Sequence, residues 1–472
     1  MIKNESITKR NDDFAKWYTD IVKCSHLAAY SKTKGCIVIE PNGYAIWENM
    51  QKTLDKMFKE TGHKNIYMPL LIPENLINKE QDLIQGFAPE VAWVTYGGNK
   101  KLDERLCIRP TSETLFSDYY SSIVKSYKDL PIKYNQWVNV LRWEKETRPF
   151  LRSREFLWQE GHTIHKTSEE AEEETNMMLN IYKKFFEEYL AIPVITGRKT
   201  EKEKFAGAIY TLTIEALMYN GVALQSATSH YFGQNFSKAY DIKFLDENNK
   251  LQYAYQTSWG SSTRMMGALI MVHSDDNGLV LPPKIAPNEV VIIPIGNVKE
   301  KTDEIYKMLQ DNDIRAYVDE SLKSPGYKFA EAEMLGIPLR IEVGERDLKN
   351  NKVTVVRRDT YEKIDISLED LTGEYIKEML KTIQKDMYER AKKRRDELTF
   401  EAHNKEEVKK IIETQPGFIK AMWCGDQKCE EAMKEINGIK SRCIKDEEES
   451  IDTKCVICGK KAKHLVIWGI QY

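Results

Sequence analysis

The sequence predicts a multidomain α/β chain, α+β in its overall arrangement, and three observations carry that reading. A length of 472 residues exceeds what one hydrophobic core supports and suggests about three domains. Between about Asp12 and Pro283, helical and strand patterns alternate with no long polar linker. Past LVLPPKIAPNE (279–289), which has three prolines in six positions and reads as an interdomain linker, a βαβαβ alternation sets in. That alternation specifies a compact domain with a largely parallel or mixed sheet. The implied domains are 1–283, 284–385 and a helical, cysteine-bearing 386–472.

Taken in order, Gly35 to Pro41 reads as a short buried strand closed by proline. Ala45 to Glu60 has helical spacing, with Ile46, Met50, Leu54 and Met57/Phe58 on one face. Thr167 to Leu190 is a second helix, opened by a Thr167/Glu170 capping box and striped by Met177, Ile181, Phe185 and Tyr189. The later alternation runs from Val290-Val-Ile-Ile-Pro-Ile through a helix at 301–310, Ile314-Arg-Ala-Tyr-Val, a helix from about Tyr327, and Leu339-Arg-Ile-Glu-Val. Glu374 to Thr414 reads as one charged helical stretch, basic around Arg390 to Arg395. It is either a solvated bridge or an RNA-contacting face.

The net charge of -3, from 70 basic and 73 acidic residues, argues against a protein that coats DNA over its whole surface. It leaves room for RNA binding, which needs only one basic face. The opening residues lack an apolar signal region, and runs such as Val290 to Ile295 are far shorter than the ~20 residues of a membrane span. A cytoplasmic protein with no membrane association is the expectation.

Chemistry concentrates in a hairpin. Trp137-Val-Asn-Val-Leu-Arg-Trp-Glu is strand-like, and a period of two puts Val138, Val140, Arg142 and Glu144 on one face. The chain returns as Arg154-Glu-Phe-Leu-Trp-Gln-Glu-Gly-His, where Phe156, Trp158, Glu160 and His162 share a face. Charged groups interleaved with large aromatics suit neither a core nor a solvated surface. They suit a pocket for a charged, planar ligand.

Arg-x-Glu at 142–144 together with FLRSREFLWQEGH at 150–162 resembles motif 2 of the class II aminoacyl-tRNA synthetases, in its prolyl form. Further segments agree in order: PTSET (110–114), GRKTEKEKFAGA (197–208), TSHYFGQNF (228–236) and SWGSSTR (258–264), the last in the place of motif 3. The resemblance spans nearly the whole chain and is closest to the archaeal/eukaryotic type, which has a zinc-binding tail and no inserted editing domain. It implies an antiparallel-sheet catalytic domain, an α/β anticodon-binding domain and a small zinc-binding C-terminal domain. The implied activity is ATP-dependent attachment of L-proline to proline tRNA through a prolyl-adenylate. It also implies a homodimer joined through Gly35–Pro69. A synthetase for another amino acid of the same subclass is disfavoured by Lys-Phe-Ala-Gly at 204–207, and a non-catalytic RNA-binding paralogue by the retention of Arg142 and Arg264.

By that resemblance, Arg142 clamps the substrate carboxylate and α-phosphate, Glu144 meets the adenine edge and Phe156 stacks on the adenine. Arg152 and Ser153 meet the triphosphate, Arg264 closes the nucleotide, and Thr228 and Ser262 line it. Gln225 is the candidate contact for magnesium carried by ATP. The proline half takes Thr111 and Glu113 near the cationic nitrogen, a use compatible with capping a helix and its first turn. Glu160, His230 and Ser262 are further pocket groups, and Trp158, His162 and Phe205 form the wall. Ser226-Ala227 stand where relatives often have two glycines.

Five of the eight cysteines lie in the last 49 residues. Cys424-x4-Cys429 and Cys455-x2-Cys458 set thiolates on two tight turns, enough for a closed tetrahedral zinc site of structural type, while Cys443 has no near partner. The resemblance adds a terminal tyrosine, here Tyr472, whose carboxylate approaches the catalytic domain. In the second domain, SPGYKF (324–329) and PLRIEVGERD (338–347) mark the resemblance. Glu342, Arg346 and Lys352 are candidates for reading splayed anticodon bases, or else solvated groups at a strand end.

Overall fold

A computed structural model of the chain describes residues 7–79, 91–445 and 449–472. Its framework is an eleven-stranded sheet among those residues. The centre is an antiparallel run: Val194–Arg198, Tyr210–Leu217, Ala223–Gly233, Tyr255–Ser262, Glu155–His165 and Ile132–Leu141. One end continues into the C-terminal region, where Ile439–Ile444 meets Val194–Arg198 at Ile444 and Arg198. The expected C-terminal domain therefore contributes four mutually paired strands, which join the central run at that one residue pair.

Helix Ser168–Glu188 covers one face. Its Thr167 side chain accepts from the Glu170 amide, and its buried residues include Ala171, Thr175, Met178, Tyr182 and Phe185. That contact line alternates steps of four and three, as a straight helix on a sheet requires. The stripe expected from uniform steps of four drifts around the helix, which leaves Met177, Ile181 and Tyr189 only partly buried. Helix Pro41–Glu60 starts with proline at its first turn and buries Ile46, Met50, Leu54, Met57 and Phe58 as expected. All of 166–254 is described, and it holds strands of this sheet, two helices and a small hairpin, Lys243–Leu245 with Leu251–Tyr253, with no inserted domain.

Three expectations are corrected. Among the described residues the strand Ile37–Ile39 pairs only with Ala28–Tyr30 in a two-stranded ribbon and is half-buried: Ile37 and Ile39 pack against the core, while Val38 on the other face is 53% exposed. The proline-rich 279–289 is no loose linker. Leu279, Val280, Leu281, Ile285 and Ala286 are buried, and the Leu279 amide donates to the Met334 carbonyl at 3.1 Å. The charged stretch 374–414 is two helices, Gly373–Glu397 and Lys405–Thr414. Between them Thr399–Glu401 pairs in parallel with Phe418–Trp423, and Asn404 caps the second helix. A β-branched and aromatic pair, Thr399-Phe400, next to an open sheet edge favours the strand.

The second domain has the expected mixed sheet, ordered Ala316–Val318, Val290–Ile295, Leu339–Gly344, Lys352–Arg357 and Lys363–Ser367. The first three run parallel and the rest antiparallel. It is clasped to the catalytic domain by the buried Arg358 guanidinium, which donates to both Asp275 oxygens at 2.8 and 2.7 Å. Helix Gly373–Glu397 runs unbroken through 385–386.

The sheet is packed tightest where Trp259 lies opposite Gly161. A Cβ on Gly161 would sit 2.1 Å from the Trp259 ring, which is itself pressed against Phe58 at 4.9 Å and His63 at 5.1 Å. Gly161→Ala should therefore lower the free energy of unfolding by about 1–3 kcal/mol, as overpacking does, read from urea denaturation. An unchanged midpoint would show that the ring moves freely.

Candidate active site

Pairing within the hairpin sets Val140 opposite Phe156, Val138 opposite Trp158, Gln136 opposite Glu160 and Tyr134 opposite His162. On the other side Ser262 lies opposite Trp158 and Ser258 opposite His162. Side chains at alternate positions of these strands thus share one face. They line a pocket of about 230 Å³ that gathers Thr111, Glu113, Arg142, Phe156, Trp158, Glu160, His162, Phe205, Gln225, Thr228, His230, Ser262 and Arg264, all expected from the sequence.

One end is anionic and fully hydrogen-bonded. Glu160, 2% exposed, accepts from Ser112 Oγ at 2.5 Å, from the Ser112 amide at 3.2 Å and from Gln136 Nε2 at 2.7 Å. The oxygen that accepts from the Ser112 amide also lies 2.9 Å from His162 Nε2, while Ser112 Oγ and Gln136 share the other. Burial alone would raise this carboxyl, but His162, Ser112 and Gln136 outweigh it and hold the group below the usual carboxylate range. His162 stacks on Phe116 at 4.2 Å. Glu113 opens helix Glu113–Ile123 and accepts from Thr111 and, at 3.1 Å, from Ser258. The residue at the helix cap is Ser112, so Thr111 serves the carboxylate and not the helix end.

Opposite lies a neutral wall. His230 bridges Thr211 at 2.9 Å and Thr228 at 3.0 Å and packs on Phe205 at 4.6 Å. Burial, and then the neighbouring His162, push its imidazole down to about 3. The Trp158 indole N–H is buried in the pocket wall with no protein acceptor.

The other end is cationic. Arg142 donates to the Pro110 carbonyl at 3.1 Å and faces the rings of Phe156 at 5.6 Å and Trp158 at 5.4 Å. Arg264 donates to the carbonyls of Leu151 at 3.4 Å and Gln225 at 3.3 Å. Burial, and then the guanidinium groups of Arg142 and Arg152, push Arg264 down to about 10. A guanidinium strained by like charges is a standing site for an anion.

Three expected residues do not line this pocket. Arg152 is exposed and pairs loosely with Glu144 at 3.7 Å, and it faces an adjoining hollow of about 480 Å³ that shares Gln225 and Arg264 with the main pocket. Glu144 lies past the end of Ile132–Leu141, where alternation no longer governs direction. Ser153 is buried outside both hollows. Tyr472 also lines the second hollow. Arg148 donates to its hydroxyl, and its amide donates to the Ala223 carbonyl at 3.0 Å.

Sequence reasoning missed Glu203, Thr211 and Ser258 in the lining, and Ser112 and Gln136 behind Glu160. Two of these were within reach. Ser258 is four residues before Ser262 on one strand face, and Gln136 continues the Val140, Val138 alternation back to the position opposite Glu160.

In the C-terminal region the four sulfur atoms of Cys424, Cys429, Cys455 and Cys458 lie within 4.8 Å of one another, with Cys424 3.7 Å from Cys429 and 3.8 Å from Cys458. Cys443 is buried elsewhere, against Gly197. In the second domain Glu342 pairs with Arg340 at 2.9 Å, Lys352 with Asp365 at 2.5 Å, and Arg346 is exposed on helix Glu345–Lys349.

Comparison with known proteins supplies the family. Three family models match in order: the tRNA synthetase class II core domain (G, H, P, S and T) over 93–273, the anticodon binding domain over 289–379, and the prolyl-tRNA synthetase C-terminal domain over 405–472. The proline–tRNA ligase of Clostridium novyi (strain NT) is 59% identical over 472 residues, covering 99% of this chain and 98% of its own. The proline–tRNA ligase 2 of Bacillus cereus is 58% identical over 472 residues, with 99% of each covered, and the enzyme of Lachnoclostridium phytofermentans is 58% identical over 470. The chain belongs to the prolyl-tRNA synthetase family. Among prolyl-tRNA synthetases the class II core thus corresponds here to the sheet that carries the pocket, and the C-terminal match begins at helix Lys405–Thr414.

His230 gives the site a pH signature. Its folded value of about 3 lies below the ~6.5 of an unfolded histidine, so between those values the unfolded chain binds a proton that the folded chain does not. Stability therefore falls as pH drops through that window, by about 1.4 kcal/mol per unit for this one group. Buried His165 and half-buried His273, both pushed down to about 4 by desolvation, add in the same direction. Urea unfolding at pH 7.5 and 5 should show the loss, and His230→Gln should flatten part of it. An unchanged slope in that variant would place the titration elsewhere.

Proposed function

We propose that this pocket forms prolyl-adenylate from L-proline and ATP and then passes the prolyl group to the 3′ end of proline tRNA. The observation that carries the reading is the polarity of one continuous cavity, with two satisfied carboxylates at one end and guanidinium groups strained by one another at the other. A prolinium ion meets the first, and the carboxylate and phosphates meet the second.

Glu113, held by Thr111 and Ser258, receives the cationic ring nitrogen. Glu160 holds His162, and with Trp158 and Phe205 these side chains shape the apolar wall around the ring. Neutral His230 keeps that wall free of a competing cation. The carboxylate then lies toward Arg142, which also faces the α-phosphate, so one planar fork aligns nucleophile and electrophile. As the in-line displacement proceeds, negative charge moves toward the β-phosphate, and Arg264 with Arg152 neutralises it as pyrophosphate leaves. Phe156 stacks on the adenine, with Glu144, Ser153, Thr228 and Ser262 around the nucleotide. Gln225 is the protein group assigned to the magnesium that ATP carries, which offsets the triphosphate charge.

Four thiolates fit zinc. Ligands ~2.3 Å from a tetrahedral metal stand ~3.8 Å apart, which matches the closest sulfur separations here. Bound zinc would tie together the turns at 424–429 and 455–458, a structural role. Glu342, Arg346 and Lys352 lie at or just past the carboxyl end of the parallel strands, the assigned anticodon-reading edge. Three large apolar side chains left exposed within Gly35–Pro69, Val38, Tyr44 and Tyr67 at 53%, 42% and 70%, support a homodimer through that region. Among the described residues no helix is long and apolar enough to cross a membrane, in line with the cytoplasmic assignment.

Arg142→Ala should reduce proline-dependent ATP–pyrophosphate exchange by about 100-fold or more with an unchanged melting curve. Exchange within a few-fold of wild type would sink the reading. Cys455→Ser should lose roughly one equivalent of zinc per chain by metal analysis and unfold at lower temperature, whereas Cys443→Ser should keep its metal. A variant lacking Cys455 that still binds zinc fully would refute the four-thiolate site.

A further inference from the structure

The seam between the catalytic sheet and the C-terminal domain buries a carboxylate completely. Glu215, in Tyr210–Leu217, follows a register shift that re-aims its side chain. It accepts from Lys199 Nζ at 2.7 Å and Thr213 Oγ1 at 2.9 Å on one oxygen, and from Arg442 Nε at 3.0 Å and Nη2 at 2.9 Å on the other. Arg442, 1% exposed, comes from the C-terminal strand Ile439–Ile444, and its carbonyl accepts from Lys199 at 2.9 Å.

This cluster backs directly onto the nucleotide end of the pocket. Glu215 is the sheet partner of Gln225, whose carbonyl accepts from Arg264 Nη1 at 3.3 Å. Glu215 is also the carboxylate whose charge Arg264 feels most, and Arg442 acts on Arg264 with the opposite sign. A buried anion beside a guanidinium meant for a phosphate is a competitor, because it offers that guanidinium an internal partner. Here every accepting position of Glu215 is taken from behind. The Arg442 Nη1 group is left without a protein acceptor, so the pair is more than a saturated structural clip.

We propose that Arg442 is a positioning residue for ATP: by occupying Glu215 from the C-terminal domain, it keeps that carboxylate from Arg264 and leaves Arg264 to the triphosphate. The inference rests on the adenylate-forming reading of the pocket. It gives the C-terminal domain a specific part in nucleotide affinity, apart from any contribution to stability.

Steady-state ATP–pyrophosphate exchange on full-length protein, varying ATP and proline separately, tests it. Arg442→Met should raise the KM for ATP by about five-fold or more while the KM for proline stays within about two-fold. In Arg442→Met/Glu215→Gln, where the competitor is gone, the KM for ATP should return to within about two-fold of wild type. Zinc content and melting curves are read alongside. An equal rise in both KM values, or no recovery in the double variant, overturns the proposal, because a purely structural seam gains nothing from losing a second polar partner. Should Arg442→Met not fold, Arg442→Lys decides. The proposal requires a KM for ATP near wild type where the cation is kept, and a rise there overturns it. Loss of the effect of Arg142→Ala on exchange would instead indict the underlying reading, so the two failures are distinguishable.

Discussion

A charge taken out of water has to be met by protein groups or by a ligand, and the catalytic sheet is organised around which of the two meets each one. Glu160, Glu215 and Glu174 lie almost wholly inside and are each fully answered. Glu160 is met by Ser112, Gln136 and His162, Glu215 by Lys199, Thr213 and Arg442, and Glu174 by His63 at 2.6 Å and Lys133 at 2.8 Å. The guanidinium groups at the cationic end of the pocket are treated differently. Arg264 is hydrogen-bonded to carbonyls, and the repulsion of Arg142 and Arg152 outweighs the attraction of Glu215. Carboxylates held by protein donors at one end and guanidinium groups crowded by one another at the other give the pocket its direction before any ligand arrives, which is electrostatic preorganisation.

The framework that holds these charges apart is the antiparallel register. Pairing of Glu155–His165 with both Ile132–Leu141 and Tyr255–Ser262 puts Gln136, Glu160 and Gly260 in one row and Val138, Trp158 and Ser262 in the next. A slip of one residue on the central strand would turn Glu160 and His162 into the layer occupied by Trp259 and Tyr182. The ring of Trp259 over Gly161 resists that slip, since the neighbouring positions carry side chains the ring could not overlie. Packing on the covered face thus protects chemistry on the open one.

Alternation made the hairpin's share of the pocket, Arg142, Phe156, Trp158, Glu160 and His162, legible from the residues alone, because a strand's period of two needs no tertiary information; the other expected residues came with the family resemblance. Alternation failed where the strand ended. Glu144 and Arg152 lie in the connection between the hairpin strands, where direction is set by local contacts such as Arg154 N to the Gly35 carbonyl at 2.9 Å, which the sequence does not display. Gln136 was readable but looks like an unremarkable strand residue until its partner is known. The same limit explains the helix errors. Uniform steps of four miss the alternation of four and three along Ser168–Glu188, and the strand Thr399–Glu401 is specified by the open edge of Phe418–Trp423, a distant segment. The cysteine pairs were legible because each is local, and only their convergence required the fold.

The C-terminal region is a domain, as composition marks it, whose strands also continue the long sheet, a junction that composition does not display. Its strand Ile439–Ile444 approaches Val194–Arg198 so closely that a Cβ on Gly197 would lie 2.4 Å from the Ile444 carbonyl oxygen and 2.7 Å from Cys443 Cβ. At that separation the seam cannot admit water, so whatever charge it contains must be balanced within a few side chains. Arg442 and Lys199 against Glu215 are that balance, with one positive charge in excess. A domain attached through neutral apolar contacts would be held as firmly and would have no electrical consequence across the sheet. Joined through an excess cation behind Gln225 and Arg264, the C-terminal domain bears on the cationic end of the pocket through the sheet itself, without a side chain of its strand entering the pocket.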